Sequence, residues 1–438
     1  MHCSGDIMNA IKIINYIIMV IFFSCYSYQF LFIPISLLAK KRKHGNVKFH
    51  RYAVLIAARN EETVIGNLID SLNSQDYPKE MITIYVVADN CTDNTAKIAK
   101  LHGAVVFERS DQTNMGKGYA IKYLLRKITE FPAKRPDAYI VFDADNIVDK
   151  NYISEINKTF SEGYEVVTSY RNSKNYGDNW ISAGYGLWFL REARYLKQPR
   201  SVIGSSCGVS GTGFLFSDYI LQKCGGWNFF LLTEDIEFTA NNIVSGEKIG
   251  YCPTAVFYDE QPTSFRQSIR QRMRWAKGYL QVLRKYGRSL LKACFHESFS
   301  CFDMLMNIAP AAVLAWTSIL INLAAVILSF YGGTDLLTVG MSIGQSILNL
   351  YLTVFALGLI TTLSEWKKIR CTAAKKLLYT FTFPIFMMTY IPISIAALFC
   401  RPSWKPIEHT KNVSIDEFCS EYVKERSNNK STSSYYAQ

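Results

Sequence analysis

Carboxylates cluster in the middle of this chain at positions where apolar runs stop. Asp143-Ala144-Asp145 closes AYIVFDAD (138–145), Asp89 closes ITIYVVAD (82–89), and Thr233-Glu234-Asp235 sits within LLTEDIEF (231–238). Two carboxylates two residues apart at a strand end share one face of the pleat. Such a pair suits a cation: a hard divalent ion, Mg2+ or Mn2+, would take these oxygens together with those of a diphosphate. The plainer alternative is a polar turn ending a strand, and Asp89 on a neighbouring strand end weighs against it. Lys117, between the glycines of NMGKG, adds a cation suited to approaching phosphate or base. Thr233 reads as an N-cap, with Glu234 and Asp235 in the first helical turn. Asp235, at the sheet's carboxyl edge, is placed to take a proton from an attacking hydroxyl.

A second constellation is RQRMRWAKG (270–278). On a helix from about Ser264 to Tyr286, Gln271, Arg274, Trp275 and Gly278 fall at i, i+3, i+4 and i+7 and share one face. A guanidinium grips phosphate oxygens and an indole offers a flat surface for a ring. Arg270, Arg272 and Lys277 are expected on the opposite face, toward anionic lipid headgroups.

These groups need a scaffold, and residues 48–263 supply one. YAVLIAA (52–58), 82–89, AVVFER (104–109) and 138–145 read as buried strands, separated by helices near 63–75, 93–102 and 118–129. That alternation predicts an α/β, mostly parallel sheet flanked by helices, with ligands beyond its strand ends. No G-x-G-x-x-G follows the first strand and no G-x-x-x-x-G-K-[ST] loop occurs, which disfavours a dehydrogenase or a P-loop enzyme.

The remainder of the 438 residues is apolar or basic. Ile7–Ala39 is almost charge-free and meets Lys40–Lys43, as an uncleaved membrane anchor would, so 1–47 forms an N-terminal transmembrane segment with a basic flank. Residues 264–300 are expected at the interface and 301–400 in the membrane, with spans near Asp303–Phe330, Met341–Leu363 and Leu377–Phe399. The basic loops place the polar domain in the cytoplasm and the chain in the plasma membrane as a multi-pass protein. Pro384 and Pro392 suggest a broken or re-entrant last segment, leaving the tail 401–438 inside, and from Glu408 that tail is polar enough to end in disorder. A net charge of +12 fits a bilayer face and an anionic substrate, and nucleic acid is not expected. The eleven cysteines form no C-x-x-C pairs, as in a reducing compartment.

In order, Asp89, Asp143-Ala144-Asp145, Thr233-Glu234-Asp235 and Gln271-Arg272-Met273-Arg274-Trp275 resemble the four signatures of processive family-2 glycosyltransferases. These are the membrane synthases of cellulose, chitin, hyaluronan and poly-N-acetylglucosamine. The resemblance implies a GT-A domain that binds a UDP-sugar with Mg2+ or Mn2+. It implies that Ala57, Arg59, Glu61, Asp89, Lys117, Asp143, Gln271 and Arg274 bind the nucleotide sugar, and that Asp143 and Asp145 hold the metal. Asp235 would be the base, and Ser210-Gly211-Thr212, Glu234 and Trp275 would bind the acceptor glycan. The reaction would be an inverting displacement that extends a polysaccharide and exports it. Thr233-Glu234-Asp235 departs from the Gly-Asp-Asp-Arg usual in hyaluronan synthases, and the short tail departs from cellulose synthases; the layout is most similar to poly-N-acetylglucosamine synthases. The alternatives are a transferase adding one sugar to a lipid, and a non-catalytic nucleotide-binding membrane protein.

Overall fold

The computed structural model describes residues 2–40, 45–130, 134–295, 299–309, 336–400 and 411–418, with scattered positions between 317 and 327 and Ser420. Eight strands form one sheet: β1 (Tyr52–Ala58), β2 (Ile82–Asp89), β3 (Val105–Arg109), β4 (Ala138–Asp143), β5 (Ile147–Val148), β6 (Val166–Ser173), β7 (Phe214–Ser217) and β8 (Ile249–Asp259). Their order is β3-β2-β1-β4-β7-β6-β8-β5. The half built from β1 to β4 is parallel, as expected. The other half makes the sheet mixed: β7 runs antiparallel to β4 and β6, and β5 antiparallel to β8, whereas β6 and β8 are parallel.

Helices cover both faces. The first half carries α1 (His2–Tyr26), α2 (Tyr28–Leu38), α3 (Ile65–Asn73), α4 (Thr95–Leu101), α5 (Lys117–Glu130), α6 (Tyr152–Ser161), α7 (Trp180–Glu192) and α8 (Gln198–Val202). After them come α9 (Asp218–Lys223), α10 (Glu234–Val244), α11 (Phe265–Cys294), α12 (Phe299–Ile308), α13 (Leu336–Ser364), α14 (Ala373–Met388) and α15 (Tyr390–Phe399). Strand β1 shows why its sequence is apolar throughout rather than alternating. Ala53 and Leu55 pack into one core with Ile121 and Leu124 of α5, while Tyr52, Val54 and Ile56 pack into the other with Ile65, Leu68 and Ile69 of α3. Each large aliphatic side chain so buried contributes about 1.5–3 kcal/mol.

The chain leaves β1 and β2 through left-handed residues, Asn60 (φ 57°) and Asn90 (φ 54°). Asn tolerates this region better than most residues. The turns leave Arg59 and Glu61 beside one strand end and Asp89 at the other.

Among the described residues, three helical stretches are long and apolar enough to cross a membrane: Ile13–Leu38, Gly344–Ser364 and Ala373–Phe399. The span expected over Asp303–Phe330 lies mostly outside the described residues, beyond α12. The last stretch is broken at Thr389, between α14 and α15. Pro392 has no N–H to offer the carbonyl of Met388, which accounts for the break. Both pieces pack on helices of the domain built around the sheet. On α14, Lys375 donates to the Gly177 carbonyl (2.7 Å), and Phe386 sits so close to α7 that a Cβ at Gly184 would be 2.4 Å from its ring. On α15, the Leu398 carbonyl accepts from Lys277 of α11 (3.2 Å). Part of the tail is ordered against the same domain, with Phe418 buried beside Ile147 and Tyr258.

Candidate active site

The strand ends converge on one cleft of about 550 Å³. Ala57, Arg59, Glu61, Asp89, Lys117, Asp143 and Asp145 line one end, followed by Ser210, Gly211, Glu234, Asp235, Gln271, Arg274 and Trp275. Of the predicted residues Thr212 alone does not line it. Its side chain is buried, accepts from the Asp143 amide (2.9 Å) and bonds Asn146 Oδ1 (2.5 Å), so it holds the end of β4 in place.

Asp143 and Asp145 meet by a different route from the one expected. Strand β4 stops at Asp143, and Asp145 lies in a turn closed by the Asn146 amide on the Asp143 carbonyl (3.1 Å). A turn, not the pleat, therefore brings both carboxylates into the cleft. Asp143 Oδ1 pairs with Lys117, whose Nζ also donates to the Gly211 carbonyl (2.8 Å). Asp145 Oδ2 accepts from the Glu260 amide (3.1 Å) and its Oδ1 from Asn146 Nδ2 (3.2 Å). Burial, then Asp145 and Asp143, push the nearby Glu61 carboxyl up to about 9, with Asp93 and Glu260 adding to it. Carboxylates thus crowd one another at this end of the cleft. Among the described residues no group of three His, Cys, Asp or Glu side chains could hold a metal. The donor set fits Mg2+ or Mn2+, which bind through one or two carboxylates and complete their shell with water and substrate phosphate.

Asp89 is buried, and Arg109 Nη1 holds its Oδ1 at 2.5 Å. Burial raises its pKa, and Arg109 followed by Arg59 opposes the rise.

The end of the cleft that holds Glu234 and Asp235 is built by α10 and α11. Burial raises the Asp235 carboxyl, opposed by the amide at Ile236, then by Lys117 and Arg274. Glu234 is pushed up to about 7 by burial and then by Asp235, with Lys117 and Arg274 opposing. Both side chains are only half-buried by accessible surface, yet they lie deep in the cleft, where desolvation outweighs the nearby cations. Thr233 does not cap α10 with its side chain, and its Oγ1 is buried without a partner. It serves as a packing surface instead: a Cβ at Gly278 would lie 2.5 Å from Thr233 Cγ2 and Oγ1. Glycine at 278 therefore lets α11 press against the start of α10.

That contact brings Gln271, Arg274 and Trp275 to the cleft. Arg274 makes no ion pair among the described residues. Trp275 is held edge-to-face by Tyr185 (centroids 5.8 Å apart, 89°) and tilted steeply against Phe189 (6.3 Å, 69°). The opposite face is not uniformly lipid-facing as expected. Arg272 is fully buried, stacks 4.4 Å from the Phe386 ring, and donates to the Phe386 carbonyl (3.1 Å) and Thr389 Oγ1 (2.8 Å). It ties α11 to the break between α14 and α15. Arg270 is exposed at the cleft's rim, and Lys277 is half-buried against α15.

Residues 50–278, just over half the chain, match the family described as glycosyltransferase-like family 2. The chain belongs to that family. This family-2 member is 28% identical over 250 residues to a beta-monoglucosyldiacylglycerol synthase of Synechocystis, a match covering 56% of this chain and 51% of that one. It is 25% identical over 292 residues to a poly-beta-1,6-N-acetyl-D-glucosamine synthase of Staphylococcus epidermidis, covering 65% and 66%. The chain thus spans between half and two-thirds of the length of these relatives. Its fold is that of the mannosyltransferase PcManGT from Pyrobaculum calidifontis, solved with GDP-Man and Mn2+: TM-score 0.55, 15% identity, 87% of this chain and 98% of that one. The GT-A fold expected of a family-2 glycosyltransferase is therefore present.

Several residues of this glycosyltransferase site were not foreseen. Behind the Ser210-Gly211 loop, Ser210 Oγ donates to Glu192 (2.7 Å) and accepts from Lys197 (2.8 Å). Arg171 donates to the Ser210 carbonyl (3.1 Å), pairs with Asp259 and stacks 3.7 Å from Phe189. Gly211, at φ 78°, turns this loop so closely that its Cβ position lies 3.7 Å from Asp235 Oδ2. Asp259 and Glu260 end an apolar strand run as Asp89 does, so the rule that found Asp89 also reaches them. Glu192 and Lys197 carry no such signal.

Proposed function

We propose that the chain transfers a sugar from a UDP-sugar, with inversion, to a hydroxyl that reaches Asp235 from the membrane side. One observation carries this reading: the cleft is continuous. It runs from Ala57, Arg59 and Asp89, past Asp143, Asp145 and Asp235, to Tyr26, Met306 and Tyr390 beside or within the apolar helices.

At the donor end Ala57, Arg59, Glu61 and Asp89 receive the nucleoside, and Asp143 and Asp145 would hold Mg2+ or Mn2+. When bound, that ion offsets the charge of the diphosphate. Lys117, between Asp143 and the Gly211 carbonyl, and Arg274, without an ion pair among the described residues, supply fixed positive charge where the departing diphosphate becomes more negative. Asp235 takes the proton of the acceptor hydroxyl as it attacks the anomeric carbon. Gly211 leaves room beside the base, and Glu192, Lys197 and Arg171 keep the Ser210–Gly211 loop from shifting.

The acceptor is a growing glycan held in the membrane region, its terminal sugar resting near Trp275 and the Ser210-Gly211 loop, and the product a β-linked polymer such as poly-N-acetylglucosamine that is elongated and exported. A second reading, one sugar added to a lipid hydroxyl, is favoured by the aromatic and apolar side chains at the membrane end, Trp188, Met306 and Tyr390. Purified protein in nanodiscs, given a panel of UDP-sugars with Mn2+, tests both. Release of UDP with a ladder of products supports the glycan, and a single glycolipid supports the lipid. No UDP release from any donor, with or without added diacylglycerol or oligosaccharide, would count against transfer altogether.

A further inference from the structure

The segment Lys411–Phe418 packs on one edge of the sheet, at the strand that follows Asp145 in the chain. Strand β5 is that edge, only two residues long, and it pairs Ile147 with Tyr258 and Val148 with Phe257. Phe418 packs on Ile147 and Tyr258, with the Phe418 and Tyr258 rings 4.8 Å apart at 68°. Arg370 reaches both rings, 4.7 Å from Tyr258 and 4.0 Å from Phe418, and donates to the Phe418 carbonyl (2.9 Å) and the Tyr258 hydroxyl (3.0 Å). The other end is tied down as well: Lys411 Nζ pairs with Asp178 (3.1 Å), and Asn412 Oδ1 accepts from Asn67 (2.6 Å).

At the Lys411 end the segment also reaches a group in the cleft. The Lys411 amide donates to Glu260 Oε2 (3.1 Å), and the Glu260 amide donates in turn to Asp145 Oδ2 (3.1 Å). The two strands it covers lead directly into this pair, since Ile147 follows Asp145 by two residues and Glu260 follows Tyr258 by two. Glu260 also stands among the carboxylates that crowd Glu61.

We propose that the C-terminal strap is a positioning element of the donor site: by holding Glu260 and the β5–β8 edge, it fixes Asp145 for the metal and diphosphate. This rests on the reading of Asp143 and Asp145 as the donor end. It also places the tail on the catalytic domain's side of the membrane, in agreement with the packing of α14 and α15 along α7 and α11.

The test compares the full chain in nanodiscs with a form lacking residues 411–438, and with Phe418→Ala and Phe418→Tyr. Calorimetric titration with UDP and Mn2+ is run beside steady-state UDP release and thermal unfolding. Removal of the strap is expected to weaken UDP–Mn2+ binding roughly five- to tenfold, as loss of a hydrogen bond to a charged group would. Phe418→Ala should give a smaller change and Phe418→Tyr, which keeps the ring, nearly none, with kcat at saturating donor within about twofold for all. Unchanged UDP affinity in the shortened chain would overturn the proposal, as would lower thermal stability and kcat at unchanged affinity, which marks a mere brace. A full chain that binds no UDP with Mn2+ would sink the donor-site reading itself. An epitope after Gln438 should be shielded in intact cells and exposed on permeabilisation; detection in intact cells refutes the strap.

Discussion

Gly278→Ala is the most discriminating substitution the site offers. The added Cβ would lie 2.5 Å from Thr233 Cγ2 and Oγ1 and 2.9 Å from Thr233 Cβ. Carbon atoms rest about 3.5–4.0 Å apart, so α10 and α11 must separate by about 1 Å. Both helices carry residues of the proposed chemistry, Asp235 on one and Arg274 on the other, and each moves as a rigid rod. An error of about 1 Å between reacting groups costs on the order of 10²-fold in rate, or about 2.7 kcal/mol of barrier. Stability should change far less. Overpacking costs about 1–3 kcal/mol, but alanine in a helix recovers about 1 kcal/mol over glycine. The signature is therefore lost turnover with only a modest change in melting temperature, read by UDP release and thermal unfolding on the same sample. Gly287→Ala is the control, since its nearest neighbour is the flexible tip of Leu283 (2.9 Å) on the same helix; it should keep full activity. Adding Thr233→Ala to Gly278→Ala removes both 2.5 Å contacts and should restore part of the rate. Wild-type kcat in Gly278→Ala would refute the claim that this contact sets the spacing of base and guanidinium.

Other expectations follow from the same geometry. Asp235 must be ionised to accept a proton and its carboxyl is raised by burial, so kcat/KM should fall toward acid from above the usual carboxylate range; Lys117→Gln removes an opposing cation and should move that limb to higher pH. Glu234, at about 7 in the folded chain against an ordinary 4.5, contributes stability that is present below 4.5 and lost as pH rises through 7. Glu234→Gln should accordingly raise the melting temperature at pH 8 relative to its effect at pH 4.5, and an equal effect at both would contradict the shift. Arg272→Ala should lower stability by about 2–4 kcal/mol, through lost packing at Phe386 and Thr389, while membrane retention on alkaline washing stays unchanged. Asp143→Asn should weaken UDP binding at least tenfold in Mn2+ and far less in EDTA, as titration calorimetry would show.

Legibility in the sequence followed the kind of partner each residue has. The strands β1 and β2 could be read to the residue, because burial on both faces demands an unbroken apolar run and a polar residue marks its end. The same logic exposes Asp89 and Asp143 at their strand ends, although it does not reveal their partners Arg109 and Lys117, and Asp235 stands out as an acidic residue in a first helical turn. Where a side chain meets another part of the protein, sequence spacing misleads. Assigning Gln271, Arg274 and Trp275 to the cleft leaves Arg272 for the lipid side, but that side is covered by α14 and α15, which arrive more than a hundred residues later. Thr233 looks like a cap until Gly278 brings α11 against it, and the hydroxyl then packs rather than accepts. The antiparallel β7, which makes the sheet mixed, is four residues long and gives no periodic signal. The tail is the clearest case. Its composition is polar, yet Val413, Ile415 and Phe418 suffice to dock residues 411–418, because Tyr258 and Arg370 already present a stacking surface; the end of the tail, where disorder is expected, lies outside the described residues. Composition measures how much apolar surface a segment has; whether that surface is enough depends on the site waiting for it, and here that site adjoins the carboxylates the chemistry requires.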